Sequence, residues 1–440
     1  MTTPREDGLI RRGVFWLLLL GPLFFLSYGL SNTFTAQRSD IGSLVFDWER
    51  QVPLWPWTII PYWSIDLLYG LSFLLPRTRR EMDRHALRLL SAQLICVLCF
   101  LLWPLRFTFE RPALDGVFGW LFDVLMGFDK PYNQAPSLHI TLLVIIWAMF
   151  ARHIQGRFWR GLMHGWMALI GVSVLTTWQH HFIDLPTGAL AGFLCLWLWP
   201  REGLSPLRLV RLAEAPERLR LAWRYALSAG LLAGAALTLG DGWLWLLWPG
   251  VALLLVAMNY LLLGAGGFQK RADGSQSCAV RWLLAPYQAA AWLNSRWWTR
   301  QRPEADEVCD GVFLGRLPAR GEATQFASVI DLCAELPLKP APGQHYRSLP
   351  SLDLVPPGAD LCREAAVAIE SLRAHGPLLV CCALGYSRSA SAVAAWLLLS
   401  GHCRDADAAE ALIRRARPGV VLHPAHRNLL QTLQTEPAHE

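Results

Sequence analysis

The chain has 440 residues, of which 53% are hydrophobic and only 17% charged, and 22 are tryptophan. That balance excludes an ordinary soluble protein over the whole length, and so many tryptophans suit a chain with many membrane–water boundaries. The net charge of +6 is mostly arginine in loops between apolar runs, with no nucleic-acid fold signature, so nucleic acid is excluded as a partner.

Apolar runs crowd residues 13–265, whereas 300–440 read as a soluble domain. Candidate membrane spans are 13–30, 55–75, 89–105, 138–150 with its flanks, 162–178, 183–199, 225–239 and 243–264. No small-residue cleavage site follows the first run, which is read as a retained span. Asp66, inside the second, has to face protein or water. Arg5, Arg11 and Arg12 precede the first span, and Arg77, Arg79, Arg80, Arg84 and Arg88 lie between the second and third. Arg152, Arg157 and Arg160 follow the fourth, and Arg201, Arg208, Arg211, Arg218 and Arg220 the sixth. With eight spans, every basic loop and the C-terminal tail fall on the cytoplasmic side. The ten cysteines show no metal-type spacing.

The loops on the other side carry chemistry. Arg106 and Arg111-Pro112 follow the third span, Pro136-Ser137-Leu138-His139 opens the fourth, and Gln179-His180-His181-Phe182-Ile183-Asp184 opens the sixth. Paired imidazoles and a carboxylate suit phosphoryl transfer: one ring attacks phosphorus, the carboxylate fixes its tautomer, and the other ring protonates the leaving oxygen. These motifs resemble those of the type-2 phosphatidic acid phosphatase superfamily over about residues 50–200. The resemblance implies a six-helix core with His180 as nucleophile, Asp184 its orienter, His139 the general acid, and Arg111 as a phosphate ligand; Arg106 is read beside it as a second arginine suited to binding phosphate. Pro104 stands where the hydrolases have lysine, and Ser173-Val174 where they have Ser-Arg. Pro-Ser-Leu-His and Gln-His are similar to the sphingomyelin and inositol phosphoceramide synthase branch, which transfers headgroups. His181 and His164 are read as structural.

A connector follows. Gly264-Ala265-Gly266-Gly267 ends the last span, and residues 280–302 interleave Trp282, Trp292, Trp297 and Trp298 with arginines. That pattern fits a helix in the membrane interface or one packed on the next domain, and both stay open.

From Pro303 short strands alternate with helices: Val312–Arg316, 328–332 and 378–380 as strands, and 360–373, 389–399 and 405–416 as helices. Within this α/β pattern, 378–391 reads Leu-Leu-Val-Cys-Cys-Ala-Leu-Gly-Tyr-Ser-Arg-Ser-Ala-Ser. Strand, tight loop and helix N-terminus converge backbone N–H groups on one point, a cradle for a dianion. The same field favours a thiolate at Cys382, and Arg388 brings a planar fork to two phosphate oxygens. This resembles the Cys-x5-Arg signature of the protein tyrosine and dual-specificity phosphatases, over about residues 305–435. The resemblance implies Cys382 as nucleophile, Ala383, Leu384, Gly385, Tyr386, Ser387 and Arg388 as the phosphate-binding loop, and Ser389 as the hydroxyl that assists thiolate departure. Cys381 stands where that family usually has histidine. Asp353, about thirty residues earlier in a proline-rich loop, is the expected general acid; Asp360 is its competitor, read as a helix cap.

The expected architecture is therefore multi-domain. It comprises an all-α polytopic membrane bundle over 1–265, a linker with an interfacial helix over 266–303, and an α/β dual-specificity phosphatase domain over 304–440. The closest whole-chain resemblance is to bacterial fusions of the two families. That implies a multi-pass inner-membrane protein with a cytoplasmic tail that hydrolyses phosphomonoesters of protein or lipid, and a second, outward-facing lipid phosphatase site. No cofactor or metal is expected, and membrane lipids are expected partners. Two alternatives stand beside this: headgroup transfer by the membrane half, and a tail that binds phosphate without turnover.

Overall fold

Two stretches of the chain form separate compact units, Met1–Ser205 and Pro206–Glu440. The structure, a computed structural model, describes residues 4–319 and 321–435; the range ends 1–3 and 436–440 lie outside them. The division falls well before residue 265, so the last apolar helices travel with the C-terminal unit.

The first unit is helical: α1 (Leu9–Thr35), α2 (Ile59–Ser72), α3 (Arg79–Leu102), α4 (Gly116–Phe128), α5 (Leu138–His153), α6 (Arg157–Thr176) and α7 (Asp184–Leu198). Helix α4 was not anticipated; at 13 residues it is too short to read as a span. Ile59, Met82, Leu89, Ile145, Ile170 and Val174 fill the interior, while Leu18, Phe25, Leu94 and Leu98 face outward. Three helices of the described chain are long and apolar enough to cross a membrane: Leu9–Thr35, Arg79–Leu102 and, in the second unit, Asp241–Phe268.

Helices α5 and α7 lie parallel and unusually close, and glycine is the reason. A Cβ on Gly188 would come within 2.7 Å of the Ser137 carbonyl oxygen, and one on Gly192 within 2.7 Å of Val144 Cβ. The Thr141 hydroxyl, which donates to the Gly188 carbonyl at 3.0 Å, takes advantage of that approach.

In the second unit α8 (Pro216–Leu239) and α9 (Leu247–Met258) make an antiparallel hairpin. Gly250 sits over the Ala229 carbonyl, and Arg218 near the start of α8 donates to the Tyr260 carbonyl at 3.0 Å. The connector folds as two helices, α10 (Cys278–Leu283) and α11 (Ala285–Trp298). Trp292, Trp297 and Trp298 are exposed, while Ala291 and Ser295 pack against the C-terminal sheet domain.

That domain is a five-stranded sheet: β1 (Asp306–Cys309), β2 (Val312–Arg316), β3 (Ser328–Cys333), β4 (His345–Ser351) and β5 (Leu378–Cys382), in the order β1-β2-β5-β3-β4. Only the β1–β2 pair is antiparallel. Central β5 is buried on both faces, as an unbroken apolar run in a parallel sheet should be. Leu378, Val380 and Cys382 face a core built with α12 (Ala359–Arg373), α13 (Arg388–Leu399), α14 (Ala406–Ala416) and α15 (Pro424–Thr435). Leu379 and Cys381 face the other way, toward Val329, Cys333 and Leu336.

Sequence reading and structure differ at β4. The proline-rich segment before Asp353 reads as a loop, yet 345–351 pair in parallel with β3. As an edge strand it pairs on one side only, which tolerates Pro350. Asp360 also differs: Gly358 occupies the N-cap, and Asp360 lies exposed in the first turn, 3.3 Å from Arg363.

Candidate active site

In an open parallel sheet the carboxyl ends of the strands form the crevice where ligands sit. Here β5 ends in Cys382, β3 leads into Glu335, and β4 leads into Asp353. The three converge on Arg388, the first residue of α13, which is 1% exposed.

Arg388 has five N–H donors, and four are engaged. Its Nη1 donates to Glu335 Oε2 at 2.8 Å and to the Ser351 carbonyl at 3.0 Å. Its Nη2 donates to Glu335 Oε1 at 2.6 Å and faces Asp353 Oδ1 at 2.9 Å. Among the described residues Nε finds no partner although it is buried. The guanidinium is thus locked by a bidentate carboxylate, with one donor uncommitted and one shared with the expected general acid. Burial works against both charges of the Arg388–Glu335 pair, yet Arg388 holds the Glu335 carboxyl below its ordinary value. Burial, reinforced by the charge on Glu335, raises the Asp353 carboxyl against the pull of Arg388. An acid with a raised value keeps its proton to higher pH, as a general acid requires.

The loop from Ala383 to Ser387 has every carbonyl engaged from behind. Ser295 Oγ of α11 donates to Ala383 O at 2.5 Å, and Arg417 donates to Leu384 O at 3.5 Å and to Gly385 O at 3.1 Å. The N–H groups of Val421 and Ser391 reach Tyr386 O at 2.9 Å and Ser387 O at 2.8 Å. Gly385 N–H reaches Cys382 Sγ at 3.3 Å, and the Ser389 hydroxyl reaches the same sulfur at 3.3 Å. Gly385 has φ 77°, and a Cβ on it would meet the Gly315 carbonyl carbon at 2.3 Å, so no other residue fits. Arg417 is buried, lies 4.9 Å from the centre of the Tyr386 ring, and pairs with Asp306 at 2.7 Å.

Cys381 takes no part in this crevice. Strand alternation turns it to the opposite face, where burial pushes its thiol well up.

The first unit gathers the other expected residues. His180 Nδ1 lies 3.1 Å from Asp184 Oδ2, and His180 Nε2 lies 3.2 Å from the Ser137 hydroxyl. Asp184 Oδ2 also accepts the His181 N–H at 3.1 Å, and the Asp184 carbonyl accepts the Ser137 N–H at 3.1 Å. The N-termini of α5 and α7 are thereby pinned together. His139 stacks on Tyr62 with centroids 4.1 Å apart, and its buried Nε2 has no partner among the described residues. Arg111 donates to the Trp178 carbonyl at 3.0 Å and lies over Phe122, and its Nε has no partner among the described residues. Arg106 is exposed, and its backbone N–H donates to Gly42. His181 is structural: Nε2 accepts from Thr108 N–H at 3.2 Å, so Nδ1 carries the proton to Glu49 at 3.0 Å. His164 accepts from Trp147 at 2.7 Å.

Sequence reasoning missed Glu335, Ser295 and Asp129. The signal for Glu335 was an acidic residue just beyond a fully buried parallel strand. Ser295 gave none, and Asp129, which accepts from the Tyr28 hydroxyl at 2.7 Å, lies in the loop after the unanticipated α4. Among the described residues no group of three or more His, Cys, Asp or Glu is placed to hold a metal ion.

No protein-family model and no curated protein matches the chain. Among solved structures it is similar to Tk-PTP in its active form, at 26% identity over 31% of this chain and 99% of that one, with a TM-score of 0.29. It is similar to human DUSP28 at 25% identity over 30% of this chain and 95% of that one, TM-score 0.28. With PTPMT1 the identity is 20% over 30% of this chain and 94% of that one, TM-score 0.27. Its structural neighbours, over about 30% of its length, are dual-specificity and protein tyrosine phosphatases.

Proposed function

We propose that the C-terminal unit is a phosphoric monoester hydrolase that works through a phosphocysteine intermediate. The observation that carries this reading is the setting of Cys382 Sγ. It accepts from Gly385 N–H and the Ser389 hydroxyl at the start of α13, beside an arginine that Glu335 holds rigid. The substrate phosphate takes Arg388 Nε–H and displaces Asp353 from Nη2. Cys382 attacks phosphorus, and the ester oxygen leaves with the proton of Asp353. Water then attacks the phosphocysteine and gives a proton to Asp353. The departing sulfur is stabilised by the Ser389 hydroxyl, and inorganic phosphate is released. Substrates on this reading are phosphoproteins or a lipid phosphate, met on the cytoplasmic face of a bacterial inner membrane. The basic loops and the need for a reduced thiol support that side.

A second reading concerns the first unit, which we take as a type-2 phosphatidic acid phosphatase-like site facing outward. What favours it is the orientation of His180: Asp184 holds Nδ1, which leaves the Nε2 lone pair toward Ser137 as the nucleophile, with the unpartnered His139 Nε2 and Arg111 Nε nearby in the same unit. The phosphoryl group on His180 passes to water in a hydrolase and to a lipid hydroxyl in a headgroup transferase. Full-length wild type, Cys382→Ser and His180→Ala, assayed in parallel on para-nitrophenyl phosphate and labelled lipid phosphates, test both readings. Aryl phosphatase activity that survives Cys382→Ser sinks the first. Lipid turnover unchanged by His180→Ala sinks the second, and label in a new lipid identifies a transferase.

A further inference from the structure

The loop that carries Asp353 does not stand on the phosphatase-like domain alone. Tyr260, in the turn that ends the α8–α9 hairpin, donates its hydroxyl to the Asp353 carbonyl at 2.9 Å. Tyr260 is 1% exposed, and a tyrosine hydroxyl buried that deeply needs a partner. Residues Asn259–Leu263 form a π turn, which inserts an extra residue and re-aims the side chains that follow. Gly264, at φ 64°, closes that turn, and Arg218 of the facing helix caps the Tyr260 carbonyl. The Tyr225 ring packs beside it, with centroids 5.5 Å apart.

The loop itself needs holding. Leu354, next to the acid, has φ 57° and is 65% exposed, a left-handed leucine with no packing of its own to favour it. Such a residue persists only where its neighbours over-determine the backbone. Two restraints come from Arg388, at Ser351 O and at the Asp353 carboxylate. The second is surrendered when a substrate phosphate takes the arginine. The Tyr260 bond to the backbone survives that exchange.

The base of the hairpin is in turn fixed to the sheet. Lys270, wholly buried, donates to Asp331 Oδ2 and Cys333 O at 2.5 Å and to Leu336 O at 2.9 Å. Gln276 donates to Ala334 O at 3.0 Å. These residues bracket Glu335, so one rigid strut holds both the arginine's carboxylate and the tyrosine.

We infer that Tyr260 is a positioning residue for the general acid, which makes the base of the apolar hairpin a working part of the thiol site. The inference rests on Asp353 being that acid. Without the Tyr260 bond the carboxyl strays once substrate occupies Arg388, and leaving groups that need a proton suffer while those that do not are spared.

The test uses the full-length protein, wild type and Tyr260→Phe, on phosphomonoesters whose leaving groups run from nitrophenol to simple alcohols. With one hydrogen bond lost, turnover of an alkyl phosphate should fall about tenfold while that of para-nitrophenyl phosphate stays within about twofold. The dependence of log kcat on leaving-group pKa should steepen in the same sense as in Asp353→Asn. Tyr225→Phe, which alters the same aromatic cluster without touching Asp353, should leave the dependence unchanged. Amide exchange over 352–355 should rise in Tyr260→Phe and not over 383–389. A uniform loss across the series, or none, overturns the inference, as does an equal effect of Tyr225→Phe. If Asp353→Asn itself leaves the dependence flat, the assignment of the acid falls, a different failure from that of Tyr260 alone.

Discussion

On the functions proposed for them, the two candidate sites would hold a nucleophile against phosphorus with different materials. In the C-terminal unit the proposed anion cradle is main chain: five consecutive carbonyls are engaged by Ser295, Arg417, Val421 and Ser391, and Gly385 N–H turns to Cys382 Sγ. In the N-terminal unit the proposed site is made of side chains on two parallel helices, and its geometry depends on how closely α5 and α7 approach at Gly188 and Gly192. A site of backbone is read from one short segment of sequence. A site of side chains from separate helices is read only as scattered motifs, and its precision depends on packing far from the chemistry.

That contrast sets the expected effects of substitution. Cys382→Ser should lower aryl phosphatase activity by about 10⁴-fold or more, equivalent to about 5.5 kcal/mol, with the melting temperature unchanged; His180→Ala should leave that activity intact. Removal of the carboxylate in Glu335→Ala strands a buried guanidinium and should destabilise the C-terminal unit by about 3–5 kcal/mol, measured by denaturant unfolding. Asp353→Asn should slow alkyl phosphate turnover by about 10²–10³-fold, or about 2.7–4.1 kcal/mol. In the wild type that turnover falls as pH rises through the raised value of Asp353, and the asparagine variant should lose this alkaline limb. Gly188→Ala forces a Cβ against the Ser137 carbonyl and should cost about 1–3 kcal/mol in the N-terminal unit, with lipid turnover lost and aryl phosphatase activity kept.

The two acidic partners of Arg388 also give opposite pH dependences of stability. Glu335 is lowered on folding, so its contribution is present above its unfolded value and lost as pH falls through the folded one. Asp353 is raised, so its contribution is full below its unfolded value and lost as pH rises through the folded one. Glu335→Gln should flatten the acid side of the stability profile, and Asp353→Asn the other.

What was legible in the sequence follows the same division. The Cys382–Ser389 segment, β2, β3 and α12–α14 were read because their signals are local: an apolar run, a glycine, a helix start. The paired histidines and Asp184 were read by their motifs, yet the reason they meet lies in Gly188 and Gly192, which carry no chemical signal. Glu335 was illegible because a lone carboxylate after a strand looks like a surface residue until the strand proves parallel and fully buried. The edge strand β4 hid behind Pro350, which its unpaired side accommodates. Tyr260 was hidden most thoroughly: it lies in an apolar run, well before the alternating strand and helix pattern that starts at Pro303, where an aromatic residue reads as a membrane anchor.

The most direct test of the thiol site is to trap the intermediate. Full-length Ser389→Ala, in which sulfur departure should be slowed, is mixed with para-nitrophenyl phosphate, quenched in acid and digested, and its peptides are weighed. The expected result is one phosphoryl group on the peptide containing Cys382 and none when Cys382→Ser is added. Phosphate carried by another residue, or steady turnover in the doubly substituted protein, would contradict it.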